Sequence, residues 1–282
     1  MIIKELEKIV REEQEKGMLN SYIRNVLKEY LQVYILYFIY TSKEYSKKMI
    51  FTGGTCLRHF FDLARLSEDI DFDYLHEFEI DQLRKDIESF FIHKYQYREV
   101  QSALKQKGQQ VLIKLPVLKK LGLSKEGESE FLHVKLDILK NPSRTYSLET
   151  TSKSIYGFNY AAKHYSLPDL MAGKIHAILT RSLLKGKENK ATVKGRDYYD
   201  LLWFLKKGIK PSLKRLSEML NQKITKERVE KELDDKVQLF TSKYKDDFLS
   251  DMTPLISNPD FIPLYIKNYE REYLRYKQQS FE

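Results

Sequence analysis

At 282 residues, with 42% hydrophobic and 32% charged side chains, the chain has the size and composition of one large globular domain or two ordinary ones. Its single cysteine, Cys56, excludes a disulfide framework and a thiolate zinc site. A formal net charge of +9 favours polyanionic partners, because a basic surface neutralises phosphates and releases their counterions.

Ile2–Lys16 and Tyr22–Lys43 carry the pattern of two helices, broken at Gly17 and capped near Asn20–Ser21. Met1–Arg11 mixes acidic, basic and apolar residues, as an amphipathic helix does and a secretion signal does not. The apolar run Val33–Tyr40 falls well short of the roughly 20 residues that span a bilayer, and its tyrosines suit a buried helix. A cytoplasmic protein without membrane contact is expected. Met49–Thr52 reads as a short strand running into Gly53–Gly54, and Thr55–Asp62 as a helix with Leu57, Phe60 and Phe61 on one side. Asp69–Tyr74 has strand alternation and Ile80–His93 has helical character. Tyr95–Ala103, Gln109–Leu115, Phe131–Leu139, Arg144–Glu149 and Tyr156–Tyr160 are expected strands, with a polar loop at Gly122–Ser129. From Pro168 the texture is helical again, over Leu170–Leu184, Arg196–Lys207, Pro211–Leu220, Lys226–Ser242 and Asp260–Tyr276. A helical arm, a mixed β-sheet core and a C-terminal helical bundle make the predicted class α+β.

The strand Asp69-Ile70-Asp71-Phe72-Asp73 places three carboxylates on one face and packs Ile70 and Phe72 behind them. Carboxylates this close stay ionised only beside a cation, and oxygen-only ligands suit Mg²⁺ or Mn²⁺. Upstream, Gly53–Gly54 at a strand-to-helix turn offers backbone N–H groups to phosphate. Each piece alone is common in turns and half-exposed strands. Their order and spacing together are those of a site that holds a nucleoside triphosphate with its metal ions.

Gly53-Gly54-Thr55-Cys56-Leu57-Arg58 followed by Arg65-Leu66-Ser67-Glu68-Asp69-Ile70-Asp71-Phe72 resembles the signature of the AbiEii/AbiGii toxin family, within the nucleotidyltransferase superfamily. Two further blocks are similar to the family's: Asp169–Leu179 around Lys174, and Arg196-Asp197-Tyr198-Tyr199-Asp200-Leu201. Thr55 stands where serine is common and keeps the hydroxyl; Gly173 replaces the acidic residue usual before the lysine. The resemblance implies a nucleotidyltransferase-like domain over residues 1–165, with its N-terminal helices, and a helical domain over 166–282 that completes the active site. It also implies that Asp69 and Asp71 hold metal ions, and that a third carboxylate stands on a neighbouring strand. Asp137, within Val134–Leu139, has the strand setting for that role. Thr55 and the amides of Gly53 and Gly54 are expected to grip the terminal phosphates.

Lys174 lies in a largely apolar helix, and Arg181, seven residues on, would share its face. The pair reads as a cationic face toward phosphate once the family is considered; otherwise a snorkelling lysine would explain it. Asp197 matches a functional position of the family, orienting either the lysine or the substrate, with Asp200 one turn beyond. Arg196 suits phosphate contact or an exposed salt bridge. The six histidines show no ligand spacing, and Cys56 reads as a small packed residue beside the turn. The basic segment Lys185–Arg196, with Lys187, Lys190 and Lys194, would be solvated or would hold a nucleic-acid backbone. Tyr269, Tyr273 and Tyr276 recur at helical spacing, which means core packing more often than base stacking.

The resemblance implies the toxin of a bacterial toxin–antitoxin pair, with a cognate antitoxin. Its expected reaction is metal-dependent transfer of a nucleotide from an NTP to an RNA acceptor, the 3′ end of tRNA, with release of pyrophosphate. The alternatives are nucleotidylation of a protein side chain and a non-catalytic module that binds RNA or a partner.

Overall fold

The computed structural model describes residues 2–181, 183–185 and 190–281. The chain forms two compact units, one of Met1–Asn141 with Glu149–His164, the other of Pro142–Leu148 with Tyr165–Glu282. Among the described residues no helix is long and apolar enough to cross a membrane.

The first unit begins with α1 (Ile2–Glu15), α2 (Asn20–Thr41) and the single turn α3 (Tyr45–Lys48). Ile2, Leu6 and Val10, one turn apart, bury one face of α1, whereas α2 is buried almost all round from Tyr30 to Leu36. There follow β1 (Met49–Thr52), α4 (Gly53–Phe60), β2 (Asp69–Tyr74), α5 (Ile80–Tyr95), β3 (Gln101–Lys105), β4 (Gln110–Pro116), β5 (Phe131–Lys140), β6 (Leu148–Ile155) and β7 (Phe158–Tyr165). The seven strands form one mixed sheet in the order β3-β4-β5-β2-β1-β7-β6. β2 runs parallel to β5 and β1 parallel to β7, while β1–β2, β3–β4 and β4–β5 are antiparallel. Ile70 and Phe72 are fully buried, and the Phe72 ring lies 5.4 Å from Phe51 and 6.4 Å from Tyr40 of α2. The apolar side of β2 is thus spent on the core, which leaves its carboxylates on the other side.

The second unit comprises α6 (Leu167–Thr180), a hairpin of β8 (Leu183–Lys185) and β9 (Lys190–Thr192), α7 (Gly195–Lys206), α8 (Leu213–Met219), α9 (Lys226–Lys243), α10 (Lys245–Met252) and α11 (Ile262–Phe281). Aromatic rings fill its core: Tyr198 stacks on Phe240 at 4.1 Å, and the buried Tyr269 hydroxyl donates to the Tyr198 carbonyl at 2.7 Å. Tyr273 is buried too and donates to Asp234. The tyrosine stripe of α11 is therefore packing for Tyr269 and Tyr273, while Tyr276 lies under Lys206 at 5.5 Å.

Several expected boundaries move. The strand expected from Tyr95 begins only at Gln101, because α5 runs through Tyr95 and ends on left-handed Gln96, whose neighbour Tyr97 donates back to the Phe91 carbonyl. Residues 143–145 form a loop instead of a strand: Glu218 of α8 accepts from the Arg144 and Thr145 amides and from the Ser143 and Thr145 hydroxyls. Tyr156 and Gly157, both at positive φ, make the turn between β6 and β7, so the strand expected at Tyr156 starts at Phe158. The helix expected to reach Leu184 stops at Thr180, with Arg181 already extended. The segment expected as a basic loop, Lys185–Arg196, includes the last residue of β8 and all of β9, which pair antiparallel. Lys187 lies outside the described residues, as do the side chains of Lys185 and Lys190.

Candidate active site

In the first unit, β1 delivers the chain into α4 through Gly53, which sits at φ +72°, a conformation that costs glycine nothing. A Cβ built on Gly53 would lie 2.6 Å from Cγ of Asp71, so the aspartate side chain occupies the space a larger residue would need. Gly54 is enclosed from the other direction: a Cβ there would meet Arg65 Nη2 at 2.6 Å and Ser67 Oγ at 3.0 Å. Arg65 is 1% exposed and donates to the Leu66 carbonyl, so a fixed guanidinium backs the turn. Thr55 is fully buried and its hydroxyl donates to the Asp69 carbonyl, tying the first turn of α4 to the acidic strand.

The carboxylates are arrayed across strands. Asp71 pairs with Thr52 on β1 and, in parallel register, with Asp137 on β5, which pairs in turn with Gln110 on β4. Residues level with one another in a sheet share a face, so Asp71 and Asp137 stand side by side. Gln110 Nε2 donates to Asp137 Oδ1 at 2.7 Å and fixes that carboxylate. Asp69 is level with Lys135, whose ammonium lies 3.9 Å from its carboxylate. Asp73, farther along β2, is level with Ile50 and Leu139 and is buried.

Hard carboxylate oxygens on one face suit Mg²⁺ or Mn²⁺. Among the described residues no three His, Cys, Asp or Glu side chains already converge as a ligand cluster. Asp71 and Asp137 fit a shared ion by their register, with Asp69 two residues along the same face. Cys56 is fully buried; burial chiefly, then the charges of Asp71 and Glu149, push its thiol well above the usual range, so it is an inert packed residue. His59 is also buried, and mainly for that reason its imidazole falls to about 4.

In the second unit, Lys174 of α6 is bracketed by Asp197 and Asp200 of α7, each 2.8 Å from its ammonium. Asp197 and Asp200 lie three apart and share a helix face. Both are buried and Lys174 is nearly so. Arg181 joins them through Asp197 Oδ2 at 2.5 Å. Arg181 was expected on the Lys174 face of a continuous helix; that basis fails because α6 ends one residue earlier, and Asp197 is what unites the two cations. Burial alone would raise the Asp197 carboxyl, but Lys174, Arg181 and Arg196 outweigh it and hold the group far below the usual range.

The start of α7 is set by α10. A Cβ on Gly195 would lie 2.8 Å from the Phe248 Cα, and the Arg196 amide donates to Asp251 at 2.9 Å. Asp251 thereby caps the helix that carries Asp197 and Asp200.

Gly53, Gly54, Thr55, Asp69, Asp71 and Asp137 thus form one constellation in the first unit, and Lys174, Arg181 and Asp197 another in the second. Residues given no role from sequence are Arg65 behind the turn, Gln110 and Lys135 beside the carboxylates, and Asp251; Asp200, noted one turn from Asp197, proves to be a second carboxylate on Lys174. Lys135 alone was signalled locally, since alternation from Asp137 places it on the same face.

Residues 36–276 match the family model for the nucleotidyl transferase AbiEii toxin of type IV toxin–antitoxin systems. The nucleotidyltransferase toxin MenT4 of Mycobacterium tuberculosis H37Rv is 12% identical, covers 97% of this chain over 92% of its own, and superposes with a TM-score of 0.50. JHP933 of Helicobacter pylori is 16% identical, covers 91% of this chain over 94% of its own, with a TM-score of 0.49. The likeness to MenT4 shows a shared nucleotidyltransferase fold. No curated protein matches the chain.

Proposed function

We propose, because this chain belongs to the AbiEii nucleotidyl transferase toxin family and is a nucleotidyltransferase, that it moves a nucleoside monophosphate from an NTP to the 3′ end of a tRNA in the cytoplasm. Family membership implies the NTP substrate and a cognate antitoxin. The observation that carries the reading is the parallel register of Asp71 and Asp137 beside the Gly53 turn.

Asp69, Asp71 and Asp137 would hold Mg²⁺ or Mn²⁺, which when bound supplies Lewis acidity and neutralises charge on the triphosphate. Gly53 and Gly54 present the amides that open α4 to the phosphates. Thr55 keeps that turn level with the carboxylates through its bond to the Asp69 carbonyl. The acceptor hydroxyl oxygen bonds to the α-phosphorus while the bond from that phosphorus to the β-bridging oxygen breaks, and pyrophosphate leaves with the electron pair. The hydroxyl proton passes to a carboxylate oxygen of Asp137, whose other oxygen is held by Gln110. The resemblance to the family assigns Lys174 and Arg181 to the phosphates; within the second unit both bond to Asp197. The +9 net charge supports a nucleic-acid acceptor.

The test is transfer of label from each NTP, labelled at the α-phosphate, to total tRNA with Mg²⁺, using wild type and Asp71→Ala. Label on tRNA with wild type alone is expected. Label only on protein from a lysate would replace tRNA with a protein acceptor, and RNA binding without any transfer would make this a binding module.

A further inference from the structure

Between α4 and β2 the chain returns through residues 61–68, and this loop is anchored by contacts that involve no charge. Leu63 and Leu66 are buried, and the Leu63 amide donates to the Leu57 carbonyl at 3.2 Å. Gln32 Nε2 of α2 donates to the Ser67 and Glu68 carbonyls at 3.0 and 3.1 Å. Within the same loop Arg65 is only 1% exposed. Burying a guanidinium is costly even when it is paired, and an apolar side chain of similar volume often fills such a space at no loss of stability. A buried arginine in a loop already anchored by other groups therefore points to a role beyond holding the loop.

Where the guanidinium lies identifies that role. A Cβ on Gly54 would stand 2.6 Å from Arg65 Nη2, 3.4 Å from its Cζ and 3.0 Å from Ser67 Oγ, so the planar group abuts the Gly54 backbone in the first turn of α4. Arg65 Nη1 donates to the Leu66 carbonyl at 2.8 Å, which keeps the group from swinging out of this contact. The amides that open a helix bind phosphate in the direction their turn dictates. Arg65 and Ser67 set that direction at Gly54, as Asp71 does at Gly53 and the bond to the Asp69 carbonyl does at Thr55.

Resting on the triphosphate-binding role proposed above for this turn, we infer that Arg65 is a positioning residue for the NTP: through its contact with Gly54 it holds the amide there in the orientation that the terminal phosphates require. It acts by its shape and fixed placement, and it makes no contact with the reacting atoms.

The experiment measures binding of each NTP and of its nucleoside monophosphate to the full chain with Mg²⁺, with a thermal midpoint for every variant. The variants are Arg65→Lys, Arg65→Met, Gly54→Ala and the double variant Gly54→Ala with Arg65→Lys. Arg65→Lys keeps the charge and loses the planar fork. It should weaken NTP about tenfold, the worth of one hydrogen bond to a charged acceptor, and change the monophosphate by less than about twofold. Arg65→Met, which fills the space without a charge, should do the same. Gly54→Ala should also weaken NTP, because its methyl group meets Arg65 Nη2. In the double variant that atom is gone, so the two losses should be less than additive. Additive losses, or unchanged NTP affinity in both Arg65 variants, overturn the inference. Equal weakening of NTP and monophosphate overturns it too, since that reports a general loss of structure. If neither Arg65 variant folds, Arg65 is an anchor of the fold and the inference falls. If wild type binds NTP but labels no acceptor, the proposed reaction falls while Arg65 keeps its role. If wild type binds NTP no better than monophosphate, the triphosphate site falls and Arg65 with it.

Discussion

The carboxylate of Asp71 fills the space that a Cβ on Gly53 would require, and Gly53 holds a positive φ that L-residues adopt at a cost. Gly53→Ala therefore carries two penalties, strain of about 1 kcal/mol in the backbone and displacement of Asp71. The expected result is loss of nucleotide transfer by about a hundredfold or more with the fold retained. Transfer rate and thermal midpoint measured together check this; transfer at the wild-type rate would show that Asp71 need not stand where it does.

Asp71→Asn and Asp137→Asn should each reduce transfer by about a hundredfold or more while leaving far-UV circular dichroism unchanged. Both substitutions keep the side-chain shape and remove the charge. Asp73→Asn, one step beyond the row and level with apolar Ile50 and Leu139, should cost less than about tenfold in rate. A Mg²⁺ titration of activity separates them: the first two should raise the metal concentration required, and Asp73→Asn should not.

Asp197 links stability to pH. Its native carboxyl lies far below the unfolded value of about 3.9, so the native state binds fewer protons there than the unfolded chain. Its contribution is complete above roughly pH 5 and fades as pH falls through the unfolded value toward the native one. Asp197→Asn should lower stability at pH 7 by about 3–5 kcal/mol, since it leaves buried cations with one carboxylate fewer. It should also flatten the decline in stability between about pH 5 and pH 3. Urea unfolding at both pH values tests this, and parallel slopes for wild type and variant would rule the linkage out.

Gly195→Ala should unseat α10, because the new methyl group meets the Phe248 backbone at 2.8 Å and backbone cannot rotate away. Overpacking of this kind costs about 1–3 kcal/mol, and the Asp251 cap on α7 would be strained with it. A lower thermal midpoint with reduced transfer is expected. Asp251→Ala should reproduce part of the loss, by about 1 kcal/mol.

Local pattern was sufficient for much of this chain. Met49–Thr52, a short apolar run, and Asp69–Tyr74, an alternating one, are strands with the bounds expected, and the glycine pair lies between them at the mouth of a helix. The Asp-x-Asp strand could be read because it is short and periodic, and such a signal survives without knowledge of neighbours, whereas the lysine helix and the Arg-Asp-x-x-Asp helix gained their roles only from the resemblance to the family. α10 could not be read, since its eight residues carry a weak helical signal and its place is set by contact with Gly195. The end of α6 was misread for a related reason: apolar periodicity continues past Thr180, but the backbone is already extended at Arg181.

The sequence by itself determined the groups available, namely spaced carboxylates, a glycine turn and a helical lysine, and their resemblance to one family. Only the tertiary structure decided how these groups are held. It levelled Asp71 with Asp137, gave the Thr55 hydroxyl to the Asp69 carbonyl, set buried Arg65 behind Gly54, and bracketed Lys174 between Asp197 and Asp200. Strand register and buried ion pairs join residues distant in the chain, and their energies depend on burial and exact neighbours, which no local periodicity encodes.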